Sequence, residues 1–154
     1  MALSKTVQDA LNAQIGREFY AAYLYLSMSA YCGGKGLPGF ARWMMLQAKE
    51  EAEHAMKIYG FIEDRSGHVV LQAIEKPPAD FSSPLELVTK VRQHEEMVTG
   101  EINKLYALAA SEKDYATQIF LEWFLTEQVE EEKNSTTLVE RVRMVQVESI
   151  RARM

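Results

Sequence analysis

Most of the chain consists of long stretches without proline, each of which can form an uninterrupted helix. The sequence has 154 residues and 4 prolines, which are Pro38, Pro77, Pro78 and Pro84. Since proline breaks a helix interior, it is tolerated mainly at a helix start or in a connection. The stretches between the breaks show no strand-like alternation, and they are 4–32, 38–64, 83–111 and 114–145 or beyond. Helices of this length measure ~40 Å, so we predict an all-α helix bundle that forms a single domain over residues 1–154.

The lengths of the connections predict the topology. The joints at 33–37 and 111–114 are short, so the first helix should lie antiparallel to the second, and the third antiparallel to the fourth. The segment 64–83 is long enough to run back along a helix at ~3.3 Å per extended residue. It therefore gives the second and third helices the same direction. The expected fold is an up-down-down-up four-helix bundle with one long crossover between the second and third helices.

Each predicted helix carries an apolar stripe that a glutamate interrupts near the middle. The stripes follow alternate spacings of three and four residues. They comprise Val7, Leu11, Gln14 or Ile15, Glu18, Ala22, Tyr25 and Met28; Phe40, Met44, Gln47, Glu51, His54, Ile58 and Phe61; Val88, Val91, Glu95, Val98, Ile102, Leu105 and Ala109; and Leu121, Phe124, Gln128, Glu131, Ser135, Leu138 and Val142. One glutamate from each helix is thus expected at one level of the core.

Four buried carboxylates in one layer predict a metal site. A buried carboxylate costs several kcal/mol, and four together also repel one another, whereas two divalent cations would neutralise them. His54 lies one turn from Glu51 on the same face and can add an imidazole ligand. A site rich in oxygen with one imidazole suits iron or manganese.

The competing interpretation is a solvated helix surface. A lone Glu-x-x-His pair is usually exposed, and an error of one residue in the helix phase would exchange Glu51 for Glu50 or a neighbour. Four separate stripes that each place an acid at mid-helix favour the buried site.

Composition excludes several classes of function. The net charge is -5 and the pI is about 5.3, which favours neither nucleic acid nor an anionic membrane surface as a partner. No apolar run approaches the ~20 residues that span a bilayer. Cys32 is the only cysteine, so no intrachain disulfide can form, and a reducing, cytoplasmic location is expected.

The metal-site residues resemble the ferroxidase centre of bacterial and archaeal non-haem ferritins. The resemblance rests on Glu18, Glu51-Ala-Glu-His54, Glu95 and Gln128-Val-Glu-Glu131, and extends from about Leu3 to Lys133. It implies iron storage and detoxification: Fe(II) is oxidised by dioxygen or peroxide, and ferric mineral is deposited in a homo-oligomeric cage of 24 subunits.

The resemblance also implies roles for individual residues. Glu18, Glu51 and His54 would hold one iron, and Glu51 would bridge to a second iron held by Glu95 and Glu131, with Gln128 nearby. A third iron site of the bacterial branch is matched by Glu50, Glu127 and Glu130. Tyr25 matches a tyrosine beside the di-iron centre and is a candidate electron donor, together with Trp123. The plainer interpretation of Tyr25 is a core aromatic.

Departures from related patterns separate the alternatives. Gln128-x-x-Glu131 replaces the second Glu-x-x-His of many di-iron enzymes, and there is no Cys-x-x-Cys pair. Both features argue against the alternative of a rubrerythrin-like or other di-iron oxidase or peroxidase without mineral storage. Ala52 stands where bacterioferritins carry a haem-ligating Met, so no haem is expected. A purely structural or signalling bundle would need apolar residues at the four glutamates.

Two further expectations concern the C-terminus and the other histidines. No Gly or Pro follows Lys133, so the fourth helix should run on to about Val145 or further, with the fifth C-terminal helix of ferritins missing or vestigial. His68 and His94 match no ligand position, and His94 is expected to point away from the buried stripe.

Overall fold

Four helices account for most of the chain in the computed structural model, which describes residues 2–154. They are α1 (Lys5–Gly34), α2 (Pro38–Asp64), α3 (Pro84–Ser111) and α4 (Tyr115–Arg153). The predicted helix bounds are confirmed to within about two residues, and α4 continues beyond Val145, as predicted, and ends at Arg153. Within the described residues no strand and no separate fifth helix is present. None of these helices combines the length and apolar character needed to cross a membrane.

Local sequence signals start three of the helices. The Ser4 hydroxyl accepts a hydrogen bond from the Val7 amide, and the Ser83 hydroxyl accepts one from the Glu86 amide. The Glu86 carboxylate in turn accepts from the Ser82 amide, next to the cap. Asp114 caps α4 by accepting from the Thr117 amide. These side chains satisfy backbone donors that have no partner inside the helix, and so they fix where each helix begins.

The helices pack in pairs, with α1 along α2 and α3 along α4, and α1 also contacts α3. The short joints make each pair antiparallel, and the chain between Asp64 and Pro84 has no helix or strand, so it can return along the bundle. The predicted up-down-down-up bundle with one long crossover is confirmed.

Asn12 fastens the crossover to α1. Its Nδ2 donates to the His68 carbonyl at 2.9 Å, and its Oδ1 accepts from the Val70 amide at 2.9 Å. The Gln8 side-chain oxygen accepts from the His68 amide. These bonds give an extended segment partners that a second strand would otherwise supply.

Asn12→Ala is expected to destabilise the protein by about 1–3 kcal/mol, because it leaves two crossover backbone groups without partners at a 3% exposed position. Urea denaturation at fixed protein concentration measures the loss. Asn103→Ala on the exposed face of α3 is the control and should change stability little. Equal stability of the two variants would show that Asn12 does not anchor the crossover.

The layer that contains the four buried glutamates lies between two apolar clusters. One cluster contains Tyr25, Met28, Met44 and Val88, and the other contains Leu11, Ile58, Ile102 and Leu121. The predicted stripes are confirmed in α1 and α3, where every stripe residue is buried.

The predicted stripes were wrong at both ends of α2 and at one position of α4. Ile62 replaces Phe61 in the core, Val139 replaces Leu138, and Phe40 is only half-buried. A straight helix has 3.6 residues per turn, so a stripe drawn at 3.5 drifts off the buried face toward the ends of α2. In α4 the core position shifts by one residue to Val139, and Val142 is buried as predicted.

Candidate metal centre

One glutamate from each helix is buried in the layer between the two clusters. Glu18, Glu51, Glu95 and Glu131 are 1%, 2%, 1% and 5% exposed, and His54 is 5% exposed. Their ligand atoms form two groups in which all atoms lie within 4.8 Å of one another. The first group is Glu18, Glu51 and His54, and the second is Glu51, Glu95 and Glu131. Since Glu51 belongs to both groups, two cations bound there would be neighbours that share a carboxylate.

His54 is held between carboxylates and aromatic rings. Its Nδ1 lies 3.3 Å from Glu51 Oε2 and 3.8 Å from Glu18 Oε2. The imidazole packs edge-on against Trp123, with 5.3 Å between ring centroids. Glu18 Oε2 is buried and has no hydrogen-bond partner. A cation between these three side chains would satisfy that oxygen, so the donor set fits a metal ion.

Glu95 is fixed by donors on both carboxylate oxygens. The Tyr25 hydroxyl donates to Oε1 at 2.6 Å, and Gln128 Nε2 donates to Oε2 at 3.2 Å. Gln128 also donates to the Glu95 carbonyl and to the Thr99 hydroxyl. Gln128 therefore acts on the site by orienting Glu95, as partners of metal ligands usually do.

Gln14 and Arg17 support the opposite side of the centre. Gln14 Nε2 donates to Glu18 Oε1 at 3.1 Å, and Arg17 Nη1 donates to Gln14 Oε1 at 2.9 Å. Arg17 also lies 3.5 Å from a carboxylate oxygen of Glu101. The sequence reasoning did not assign these residues to the site. The only sequence feature that pointed to Gln14 was its position as a polar residue on the buried stripe, one turn before Glu18.

Burial and mutual repulsion perturb the pKa values of the carboxylates. Burial raises the pKa of Glu51 well above its usual range, and the neighbouring charges of Glu18 and Glu95 add to this. Burial raises the pKa of Glu95 as well. Burial, followed by the charges of Glu95 and Glu50, raises the pKa of Glu131 to about 8. Without a cation the layer therefore holds protons at neutral pH.

Glu18 and His54 behave as an ion pair. Burial alone would raise the pKa of Glu18, but its contacts with His54 and Glu51 outweigh burial and lower it. Burial alone would likewise lower the pKa of His54, whereas Glu18 and Glu51 raise it to about 10. Cations that bind to these ligands must displace the protons, so binding should release acid.

A third group of ligand atoms lies toward the surface. It comprises Glu50, Glu127 and Glu131, again within 4.8 Å of one another. The predicted third site named Glu130 in place of Glu131. Glu130 is exposed and is not part of this group, although its charge contributes to the raised pKa of Glu50. Glu131 is thus common to the second and third groups, which the sequence reasoning missed.

Tyr25 and Trp123, the two candidate electron donors, pack against different aromatic rings. Tyr25 packs edge-on against Trp43, with 6.2 Å between ring centroids, whereas Trp123 lies on His54. His94 takes no part in the ligand groups and packs against Tyr20, as expected for a residue off the stripe. His68 contributes backbone contacts to the crossover.

Comparisons with known proteins agree with this geometry. A family model described as the ferritin-like domain matches residues 8–145. The chain is 46% identical over 130 residues to a bacterial non-heme ferritin of Staphylococcus aureus, covering 84% of this chain and 78% of the relative. It is 45% identical over 138 residues to the Staphylococcus epidermidis protein of the same name, covering 90% and 83%.

Solved structures give the same result. The open pore ferritin of the hyperthermophilic archaeon Archaeoglobus fulgidus has a TM-score of 0.93 and 46% identity, and the alignment covers 94% of this chain and 89% of that one. The ferritin of Chlorobium tepidum has a TM-score of 0.93 and 35% identity, with 97% and 92% covered. The fold, the two ligand groups that share Glu51 and these similarities together show that the chain belongs to the ferritin family.

Proposed function

We propose that this chain stores and detoxifies iron by oxidising Fe(II) to Fe(III) at the paired centre and passing the product to a ferric mineral. The observation that carries this proposal is the sharing of Glu51 between two buried ligand groups. Membership of the ferritin family supports both the ferroxidase activity and the storage role. The alternative of a di-iron oxidase without storage is not favoured, because the relatives are ferritins.

Two Fe(II) ions are the substrate of the centre. Glu18, Glu51 and His54 would bind one ion, and Glu51, Glu95 and Glu131 the other. Each Fe(II) gives up one electron, so the pair supplies two electrons to dioxygen and, with two protons, reduces it to hydrogen peroxide. Hard anionic oxygen ligands bind Fe(III) more strongly than Fe(II), which favours the oxidised product. Peroxide as the oxidant would also accept two electrons from the same pair.

Glu131 offers a route out of the centre. Glu131 belongs to both the second and third groups. An ion bound to Glu131 and Glu95 can therefore move to Glu50 and Glu127 while it stays bound to Glu131. We propose the third group as a transit site, with Glu130 at its rim. The exposure of Glu50 supports this role, since an ion there can reach solvent.

Storage requires an enclosed volume, which one bundle cannot provide. A homo-oligomeric cage of 24 subunits is the assembly proposed for this chain. The similar protein from Archaeoglobus fulgidus is an open pore ferritin, which supports a related assembly for this chain. The single cysteine, Cys32, is consistent with the proposed cytoplasmic location. No haem is expected to take part.

Anomalous diffraction tests the site directly. Crystals soaked anaerobically with Fe(II) should show two iron peaks in the buried layer, each within bonding distance of a Glu51 oxygen. A weaker third peak is expected between Glu50, Glu127 and Glu131. Iron that binds only at the surface, or a buried peak without Glu51 as a ligand, would contradict the proposed centre.

Tyr25→Phe is expected to preserve the binding of two ions and to slow Fe(II) oxidation by roughly tenfold, the effect typical of groups that support metal ligands. The hydroxyl is the donor to Glu95 at 2.6 Å, so tyrosine can pass an electron to the site while its proton moves to that carboxylate. Burial, followed by the charges of Glu95 and Glu51, raises the pKa of Tyr25 well above its usual range, so it starts protonated.

Stopped-flow oxidation at two Fe(II) per chain measures this effect. Tyr31→Phe serves as the control, because Tyr31 is a half-buried tyrosine on the same helix that packs edge-on against Phe81. Unchanged kinetics in Tyr25→Phe would leave Tyr25 with only a packing role.

A further inference from the structure

A cavity of about 280 Å³ opens beside the metal centre on the side where α2 faces α4. We call it the vestibule, and its lining residues are Glu50, Glu53, His54, Lys57, Trp123 and Glu127. His54 is buried at 5% exposure, whereas Glu53 and Lys57 are exposed. The vestibule therefore connects solvent with a ligand of the paired centre, and two of the carboxylates that line it belong to the third ligand group.

Lys57 places a positive charge in this anionic space. It follows Glu53 by four residues, a spacing that favours an ion pair on a helix surface. Its ammonium instead lies over the Trp123 ring, with Nζ 3.7 Å from the ring centroid. The same ring packs edge-on against His54 at 5.3 Å between centroids. A cation–π contact with Trp123 thus holds Lys57 at the vestibule. Trp123 in turn packs against His54, a ligand residue of the metal centre.

The charges in the vestibule are unequal. Three carboxylates line it, and Lys57 is the one lysine or arginine among its lining residues. Burial, followed by the charges of Glu127 and Glu53, contributes to a raised pKa at Glu50, which shows how closely these acids interact. A divalent cation bound by Glu50 and Glu127 shares the cavity with the ammonium and is repelled by it.

We propose that Lys57 is a built-in cation that weakens the binding of divalent ions to the vestibule carboxylates and so keeps their residence there short. The inference rests on the proposed function, because it assigns the third ligand group to iron in transit. Lys57 contacts Trp123 and belongs to none of the ligand groups, so its charge should act mostly on the third ion and change the affinity of the buried pair little. Because the Lys57 ammonium repels a bound divalent ion, the vestibule can release that ion to a store. Three carboxylates without a neighbouring positive charge would retain it.

Zn(II), which is not oxidised, is the probe for this test. Calorimetric titration of the metal-free protein at low ionic strength should resolve the tight pair from the weaker third ion. Lys57→Met keeps the aliphatic stem and removes the charge. It should strengthen binding of the third ion roughly three- to tenfold, as expected for loss of one charge that shares a solvated cavity with a divalent ion.

Three comparisons isolate the position of the charge. Lys57→Arg retains both the charge and the aromatic contact and should behave as the unmodified chain does. Lys49→Met removes the same charge from an exposed position beside Glu50 that does not line the vestibule, so it should have less effect. The effect of Lys57→Met should shrink as ionic strength rises, because the vestibule is open to solvent. Affinity for the tight pair should stay within about twofold in all variants.

Equal shifts in Lys57→Met and Lys49→Met would overturn the proposal, since they would show a general charge effect. No shift in Lys57→Met, or no third ion in either the unmodified chain or that variant, would overturn it as well. A third ion that is seen only in Lys57→Met would support it. Failure of the unmodified chain to bind the tight pair would instead refute the proposed ferroxidase centre. The affinity of the third ion in Lys57→Met, compared with the unmodified chain, would still test the role of Lys57.

Discussion

Glu51→Gln is expected to abolish rapid Fe(II) oxidation, lowering the initial rate by more than about 100-fold. Substituting a group that merely supports a metal ligand typically costs 10–100-fold, and Glu51 is itself a ligand in both groups. Glutamine has nearly the same size but carries no charge, so both sites lose an anionic oxygen and the bridge between them. The fold should persist, because an uncharged side chain is easier to bury than a carboxylate.

Stopped-flow oxidation and an anaerobic Co(II) titration test this expectation together. The unmodified chain should bind two Co(II) ions tightly, and Glu51→Gln should bind one at most. Glu63→Gln on the exposed face of the same helix removes an equal charge and should leave rate and stoichiometry unchanged. Retention of paired binding and fast oxidation in Glu51→Gln would show that Glu51 is not the shared ligand.

Glu131→Gln is expected to stabilise the metal-free protein while weakening metal binding. The carboxyl is 5% exposed and faces other acids, and burial followed by the charges of Glu95 and Glu50 raises its pKa to about 8. Neutral glutamine removes this repulsion without leaving a cavity. We expect a gain of about 1–2 kcal/mol in the free energy of unfolding near pH 8, comparable with the replacement of other buried charges.

The sign of the pH dependence follows from the raised pKa. In the folded state Glu131 keeps its proton up to pH about 8, whereas in the unfolded chain the carboxyl loses its proton near its ordinary pKa of 4.5. Between these values the folded state binds more protons, so stability should fall as pH rises. His54 acts in the same direction at higher pH, because its folded pKa is about 10 against 6.5 in the unfolded chain.

Urea denaturation of the metal-free proteins at pH 5.5 and 8 measures both effects at fixed protein concentration. The unmodified chain should lose more stability over this interval than Glu131→Gln does. Saturating Co(II) should reverse the ranking, because it stabilises only the protein with complete sites. A less stable metal-free Glu131→Gln, or one with the same pH dependence, would contradict the raised pKa of Glu131.

Helical periodicity was sufficient to predict which glutamates lie in the buried layer. Glu18, Glu51, Glu95 and Glu131 each lie near mid-helix, where the drift between 3.5 and 3.6 residues per turn is still small. The three connections then fixed the topology, since their lengths allow only antiparallel pairs and one crossover. The resemblance, and not the periodicity, supplied the division of these ligands between two irons.

Helical periodicity could not predict side-chain contacts between residues that are far apart in the sequence. The bond from Tyr25 to Glu95 joins residues 70 apart, and it depends on how two helices are rotated about their axes. The same rotation places Tyr25 against Trp43 and Trp123 against His54. Periodicity gives the face on which a side chain begins, but the direction of a long carboxylate or ring depends on its neighbours. This is also why Glu131, and not Glu130, lies with Glu50 and Glu127.

Aerobic loading of the metal-free protein with excess Fe(II), followed by gel filtration and an iron count per chain, tests the storage role most directly. We predict rapid oxidation of the first two ions, and then iron far beyond the three ligand groups of one chain, eluting with a large assembly. Oxidation that stops at two or three irons per chain on a small oligomer would contradict storage. In that case the paired centre would remain, with redox chemistry and not mineral deposition as its purpose.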